Sequence, residues 1–145
     1  MKERQERWDA RFLEMAELIS TWSKDPSTKV GSVIVDEERR VLSMGYNGFP
    51  RGVDDDWKRY QDKDSKRMLV VHAELNAILT ARHAFGASTL YVTAPPCCEC
   101  AKAIIQAGII RVVWSISDGL SVHWAESCAA ARTMFDESGV DVEIL

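Results

Sequence analysis

Two short segments hold the side chains best suited to chemistry. His72-Ala73-Glu74 is followed by Pro96-Cys97-Cys98-Glu99-Cys100, and together they read H-x-E … P-C-x-x-C. The pattern offers one imidazole, His72, and two thiols, Cys97 and Cys100, as metal ligands. It leaves one carboxylate, Glu74, free to move protons. Three protein ligands on zinc leave a fourth position open, which is the arrangement of a catalytic site. Zinc lowers the pKa of water it binds from about 15.7 towards 7. A hydroxide then becomes available at neutral pH to attack an electrophilic carbon. Glu74 has the chemistry to carry that water's proton to the group under attack and then to the leaving group.

The spacing sets conditions on local structure. Cys97 and Cys100 stand at i and i+3 behind Pro96. Proline favours a helix start, and i,i+3 side chains share a helix face. Both sulfurs should therefore leave the first turn of a helix in one direction, where the helix terminus also favours the thiolate. His72 and Glu74 are two apart and would diverge within a helix. They serve one site only if His72 lies at the very start of its helix. H-x-E … P-C-x-x-C is the signature of zinc-dependent nucleobase deaminases. A lone C-x-x-C also fits a redox pair or half of a structural zinc site. Cys98 or Cys128 would then supply a fourth ligand and close the metal, an arrangement with no use for Glu74.

The elements that must position these residues follow from periodicity. Trp8, Phe12, Met15, Ile19 and Trp22 recur at steps of four and three, an amphipathic helix ending near Ser23-Lys24-Asp25-Pro26. Residues 29–35 and 41–47 read as the two strands of a hairpin. Residues 48–66 are polar and rich in Asp, and read as a long functional or mobile loop. Helices are expected over 72–85, closed by Gly86, over 97–107, closed by Gly108, and over 124–137, closed by Gly139. Strands are expected over 89–93, 109–116 and 140–145. The resulting order, α-β-β-α-β-α-β-α-β, implies a three-layer α/β/α fold. Its five-stranded mixed sheet is mainly parallel apart from the antiparallel first hairpin. Both half-sites would fall at strand-to-helix junctions, where open α/β sheets bind ligands.

The 145 residues suit a single domain spanning 1–145. A hydrophobic fraction of 46% and a charged fraction of 28% are those of a soluble globular chain. No apolar run approaches the ~20 residues that cross a bilayer, and the charged N-terminus lacks a signal-peptide core. No membrane partner and a cytoplasmic location are therefore expected. Clustered cysteines fit metal binding in a reducing compartment. A net charge of −4 argues against a nucleic-acid polymer as partner, whereas one mononucleotide needs only one or two local cations.

Beyond the zinc motif, Ser23-Lys24-Asp25-Pro26, Thr28-Lys29-Val30-Gly31, Gly45 through Gly52 (GYNGFPRG), His72 through Ala77 (HAELNA) and Pro96 through Gly108 occur in order. On these segments the chain resembles the deoxycytidylate (dCMP) deaminases over nearly its whole length. The resemblance implies the cytidine-deaminase fold and hydrolysis of dCMP to dUMP and ammonia, feeding thymidylate synthesis. It implies His72, Cys97 and Cys100 as zinc ligands and Glu74 as proton shuttle. It places Asn47 on the sugar hydroxyl, where an amide can both donate and accept, and the backbone at Ala94 against the exocyclic amine. Lys24 is the candidate for the substrate phosphate. The family is typically a hexamer, activated by dCTP and inhibited by dTTP with Mg²⁺. Gly45, Tyr46, Asn47, Gly48, Arg51 and Asn76 are the corresponding regulatory candidates.

The chain departs from its relatives in places. Ala94-Pro95-Pro96-Cys97 replaces a common Leu-Phe-Pro-Cys approach, Cys98 is unusual between the ligands, and residues 118–124 lack the tyrosine that often covers the base. Trp124 or His123 would take that place, since an aromatic face stacks on a base, and 5-methyl or 5-hydroxymethyl dCMP would then be admissible. The competing readings are a nucleoside or tRNA adenosine deaminase of the same fold, and a non-catalytic module stabilised by zinc.

Overall fold

The computed structural model describes residues 1–116 and 121–145. Its elements run α1 (Lys2–Ser20), β1 (Gly31–Asp36), β2 (Val41–Tyr46), α2 (Trp57–Gln61), α3 (Lys63–Leu69), α4 (Ala73–Thr80), β3 (Ser88–Val92), α5 (Cys98–Gln106), β4 (Arg111–Trp114), α6 (Val122–Ser138) and β5 (Asp141–Ile144). The five strands form one sheet in the order β2-β1-β3-β4-β5. β1 pairs antiparallel with both β2 and β3, while β3, β4 and β5 are mutually parallel. The antiparallel exception is thus β1 alone, because β2 turns back into the direction of the rest.

Successive strand residues face opposite sides, and the burial follows that period. Val33, Val35, Tyr91 and Val113 meet Phe12, Leu13, Ala16 and Ile19 of α1. Ile34, Leu90, Val92, Val112 and Trp114 pack on the other face with Ala77, Ala101, Ile104, Ala131 and Phe135, from α4, α5 and α6. Each fully buried aliphatic or phenyl side chain contributes about 1.5–3 kcal/mol, so the two clusters hold the three layers together.

On α1 the buried stripe differs from the aromatic one. Met15 and Trp22 are exposed, and Leu13 and Ala16 are buried in their place. The reason is proximity: a Cβ added at Gly31 would lie 2.0 Å from the Ala16 carbonyl oxygen. β1 therefore crosses α1 nearly backbone to backbone, where small residues fit and bulky ones do not.

Residues 48–66 are not a plain loop. Asp56 caps α2 by accepting from the Lys58 N–H at 3.0 Å. Phe49 stacks on the buried Tyr60 with ring centroids 4.0 Å apart. At five and seven residues, α2 and α3 are too short to show a helical period, and α3 buries none of its residues. α4 ends at Thr80, where Ala81 turns extended. It does not run on to Gly86, and Phe85 reaches the core from outside the helix. α5 and α6 close before Gly108 and Gly139 as expected. No helix among the described residues is long and apolar enough to cross a membrane.

Candidate metal centre and cleft

His72 is the N-cap of α4, with extended backbone at φ −68° and ψ 156°. This meets the condition under which His72 and Glu74 can serve one site. The segment before it is a single bridge, Val71 to Gly48, so this half-site follows α3 and a bridge instead of a strand of the sheet. The second half-site does follow a strand, β3. Cys97 is the N-cap of α5, and its sulfur accepts from the Cys100 N–H at 3.4 Å.

The two half-sites converge. His72 Nδ1 stands 3.4 Å from the Cys97 sulfur and 3.4 Å from the Cys100 sulfur. Zn–S bonds of about 2.3 Å and a Zn–N bond of about 2.0–2.1 Å in tetrahedral geometry place N and S about 3.6 Å apart. The three donors therefore fit zinc with little adjustment. Among the described residues they are the one group of three His, Cys or acidic side chains close enough to hold a metal. Cys98 and Cys128 are outside it. The Cys98 N–H donates to Ser127 Oγ at 2.9 Å, and the Cys128 sulfur faces the Pro95 carbonyl at 3.8 Å.

The protonation of the cluster suits a cation. The hydrogen bond from Cys100 pushes the Cys97 thiol down to about 4, and His72 adds to the effect. The same bond to Cys97, with burial, drives Cys100 upward. The hydrogen bond to Cys97 raises His72 against the opposing effect of burial. Cys97 is thus the sulfur held towards the thiolate and Cys100 the one held towards the thiol, and metal binding requires both to be deprotonated. Glu74 is 4% exposed, and burial pushes its carboxyl above the ordinary range. Such a carboxyl holds a proton more readily than an exposed one, which suits a group that passes protons on.

His72 and Glu74 open onto a cleft of about 410 Å³, whose walls include Val30, Asn47, Ala94, Pro95 and Trp124. Trp124 stands edge-on to His72, with ring centroids 5.9 Å apart. Ser121 fixes its position by capping α6 through the Trp124 N–H at 3.2 Å. His123 is exposed and forms no part of these walls. Asp118, in the segment without tyrosine, lies outside the described residues. Asn47 is buried in the cleft wall. Its Oδ1 accepts from the Val30 N–H and its Nδ2 donates to the Thr28 carbonyl, both at 2.8 Å. One N–H and one lone pair remain for a ligand.

Lys24 is not brought to the cleft. It is exposed and paired with Asp55 at 2.5 Å. The lysine and arginine that do line the cleft are Lys66 and Arg67 of α3, which sequence reasoning missed: Lys66 ends the segment read as loop, and Arg67 follows it with no element assigned. The available signal was the basic pair Lys66-Arg67 directly before the apolar approach to His72.

The regulatory candidates are dispersed. A Cβ at Gly45 would lie 2.4 Å from the Ala73 carbonyl oxygen and 2.5 Å from the Ala77 nitrogen, so the close approach at this glycine is to α4. Asn76 Nδ2 donates to the Tyr46 carbonyl at 2.8 Å. The Gly48 N–H and carbonyl pair with Val71. Tyr46 is exposed and edge-on to Trp22, and Arg51 is exposed.

Residues 6–116 match the model of the cytidine and deoxycytidylate deaminase zinc-binding region. The chain is 42% identical over 138 residues to an uncharacterized deaminase from the luxG 3′ region of Aliivibrio fischeri, covering 94% of this chain and 92% of that one. It is 43% identical over 139 residues to the mouse deoxycytidylate deaminase, covering 92% and 76%. Its fold superposes on the dCMP deaminase of cyanophage S-TIM5 in complex with dCMP and dUMP. The TM-score is 0.72 at 26% identity, over 94% of this chain and 95% of that one.

Proposed function

Because the chain belongs to the cytidine and deoxycytidylate deaminase family, we propose that it hydrolyses dCMP to dUMP and ammonia, with residues 1–145 acting as one catalytic domain. The observation that carries this reading is the buried Glu74 beside a His72–Cys97–Cys100 cluster of zinc dimensions, in a cleft with cations on its wall. One relative in sequence and one in fold are named for dCMP.

His72, Cys97 and Cys100 would hold one Zn²⁺, which when bound supplies Lewis acidity and lowers the pKa of water. Glu74 takes a proton from the attacking water and delivers it to the ring nitrogen N3 as the C4–O bond forms. The second proton passes to the exocyclic amine as the C4–N bond breaks, and ammonia leaves. Its raised pKa matches a group that must both accept and donate. Asn47 offers its free amide capacity to the sugar hydroxyl. The Ala94 backbone faces the amine, and Trp124 bounds the base.

The product would supply thymidylate synthesis. Regulation by dCTP and by dTTP with Mg²⁺ would fall to the exposed Tyr46 and Arg51, since Gly45 and Asn76 serve the contact of β2 with α4. Exposed Leu18, Trp22, Met44 and Tyr46 form apolar surface suited to a homo-oligomer, in this family a hexamer.

Ammonia release from zinc-loaded protein tests the reading, comparing dCMP with deoxycytidine, CMP and dCTP. Preference for dCMP is expected. Turnover confined to free nucleosides would overturn it.

A further inference from the structure

Among the described residues five ionisable side chains line the cleft, namely Asp25, Lys66, Arg67, His72 and Glu74. His72 and Glu74 belong to the reacting centre. Asp25 and Lys66 are committed to one another: the Lys66 ammonium lies 2.7 Å from Asp25 Oδ2, and Asp25 is fully buried. Lys66 also donates to Ser27 Oγ at 3.1 Å. The other Asp25 oxygen is occupied by the N–H groups of Ser27 and Thr28, at 2.9 and 3.1 Å. The Asp25–Lys66 pair therefore presents no net charge. Arg67 is exposed and has no acidic partner among the described residues.

We propose that Arg67 reads the 5′-phosphate of the substrate and that Lys66 does not touch it. Arg67 is thus a specificity-determining residue, and Lys66 is a positioning residue whose tie to Asp25 holds α3 against the cleft. The proposal rests on the reading of this chain as a dCMP deaminase. A guanidinium presents a planar fork that matches phosphate oxygens bidentately. An arginine already exposed at the cleft is desolvated little by the approaching ligand. Lysine in the same place would act as a point charge and hold the phosphate less firmly. A ligand phosphate on Lys66 would have to compete with a buried carboxylate that has no other cation among the described residues.

The test pairs a binding and a kinetic readout on the zinc-loaded full chain. Calorimetry of dUMP and of deoxyuridine gives the phosphate preference without turnover. kcat and KM for dCMP and for deoxycytidine give it in catalysis. Arg67→Ala is expected to weaken dUMP binding and raise the KM for dCMP by tenfold or more. Deoxyuridine affinity and kcat at saturating dCMP should stay within twofold. Arg67→Lys should recover part of the loss. Lys66→Met should lower thermal stability and weaken both ligands alike, leaving their ratio near the wild-type value. An unchanged dUMP-to-deoxyuridine ratio in Arg67→Ala would overturn the assignment while the dCMP reading stood. A wild-type protein that binds dUMP no better than deoxyuridine would overturn the dCMP reading itself. Loss of the ratio in Lys66→Met with Arg67→Ala unaffected would transfer the role to Lys66.

Discussion

Asp9 on α1 and Arg111 on β4 form a two-armed ion pair inside the protein, with Arg111 Nη1 and Nη2 each 2.8 Å from one Asp9 oxygen. Tyr91 Oη donates to the same carboxylate at 2.7 Å and Gln5 Nε2 at 2.9 Å. Asp9 is 1% exposed, so among the described residues these donors replace water around it. The pair joins α1 to β4, an interior strand of the sheet. Removing one partner strands the other's charge, which costs about 3–5 kcal/mol at buried sites. Arg111→Met should therefore lose several times the stability lost by the exposed Lys102→Met, whose pair with Glu99 lies at the surface. Urea titration of both variants measures the difference.

Acid sensitivity should follow from the same carboxylate and from Asp25. Burial alone would raise both. Arg111, Tyr91 and Gln5 around Asp9 outweigh it, as do Lys66 and the Ser27 and Thr28 N–H groups around Asp25, and both sit below the ordinary value. The unfolded chain, with aspartates near about 3.9, then binds more protons than the folded chain as the solution is acidified. Stability from these groups is complete above about pH 4–5 and falls as pH drops through their folded values. Melting temperatures between pH 7 and pH 3 should fall steeply in the wild type. Asp9→Asn should be less stable at pH 7 and show a flatter slope. Parallel slopes would show that Asp9 does not carry the acid response.

Glu74 separates chemistry from scaffolding. Its carboxylate is no part of the His72–Cys97–Cys100 group, so Glu74→Ala should keep zinc and fold. Turnover should fall by at least about 10²–10⁴-fold, the range of general acid–base catalysis. Metal analysis and a melting curve beside the rate assay make the comparison. Normal turnover in Glu74→Ala would remove it from the mechanism.

The metal should also stabilise the fold, since its ligands join the N-termini of α4 and α5. A ligand that binds the folded state alone adds about 2.7 kcal/mol at a hundred times its Kd. Stripping with a strong chelator should lower the melting temperature and abolish turnover, and added Zn²⁺ should restore both. Cys100→Ser should behave like the stripped protein. Cys98→Ser should not, because its sulfur is outside the metal group and has no hydrogen-bond partner among the described residues, while its backbone N–H donates to Ser127.

The site was legible where its signals are local. The N-cap positions of His72 and Cys97 follow from a two-residue and a three-residue spacing, and neighbouring backbone settles both. The sheet faces were legible because β1, β3 and β4 alternate on a period of two. What escaped depends on partners far along the chain. Lys24 and Lys66 look alike as residue types. One is drawn away by Asp55, 31 residues distant, and the other is held by Asp25 across α3. Short helices such as α2 and α3 are set by a cap and one aromatic stack, which leave no period to read.

Gly45 illustrates the same limit and yields a last prediction. In the sequence it looks like a glycine kept free for a nucleotide. In the fold its missing side chain is space taken by α4, with Ala73 and Ala77 backbone atoms 2.4 and 2.5 Å from a Cβ there. Those atoms cannot rotate away as a side chain would, so Gly45→Ala must push β2 and α4 apart. Forced overpacking costs about 1–3 kcal/mol. Ala73 lies between His72 and Glu74, so the displacement also reaches the candidate reacting centre. Gly45→Ala should therefore lower the melting temperature and the rate together, with no nucleotide effector added. A variant of unchanged stability and basal rate, altered only in its response to dCTP or dTTP, would instead return this glycine to the regulatory reading.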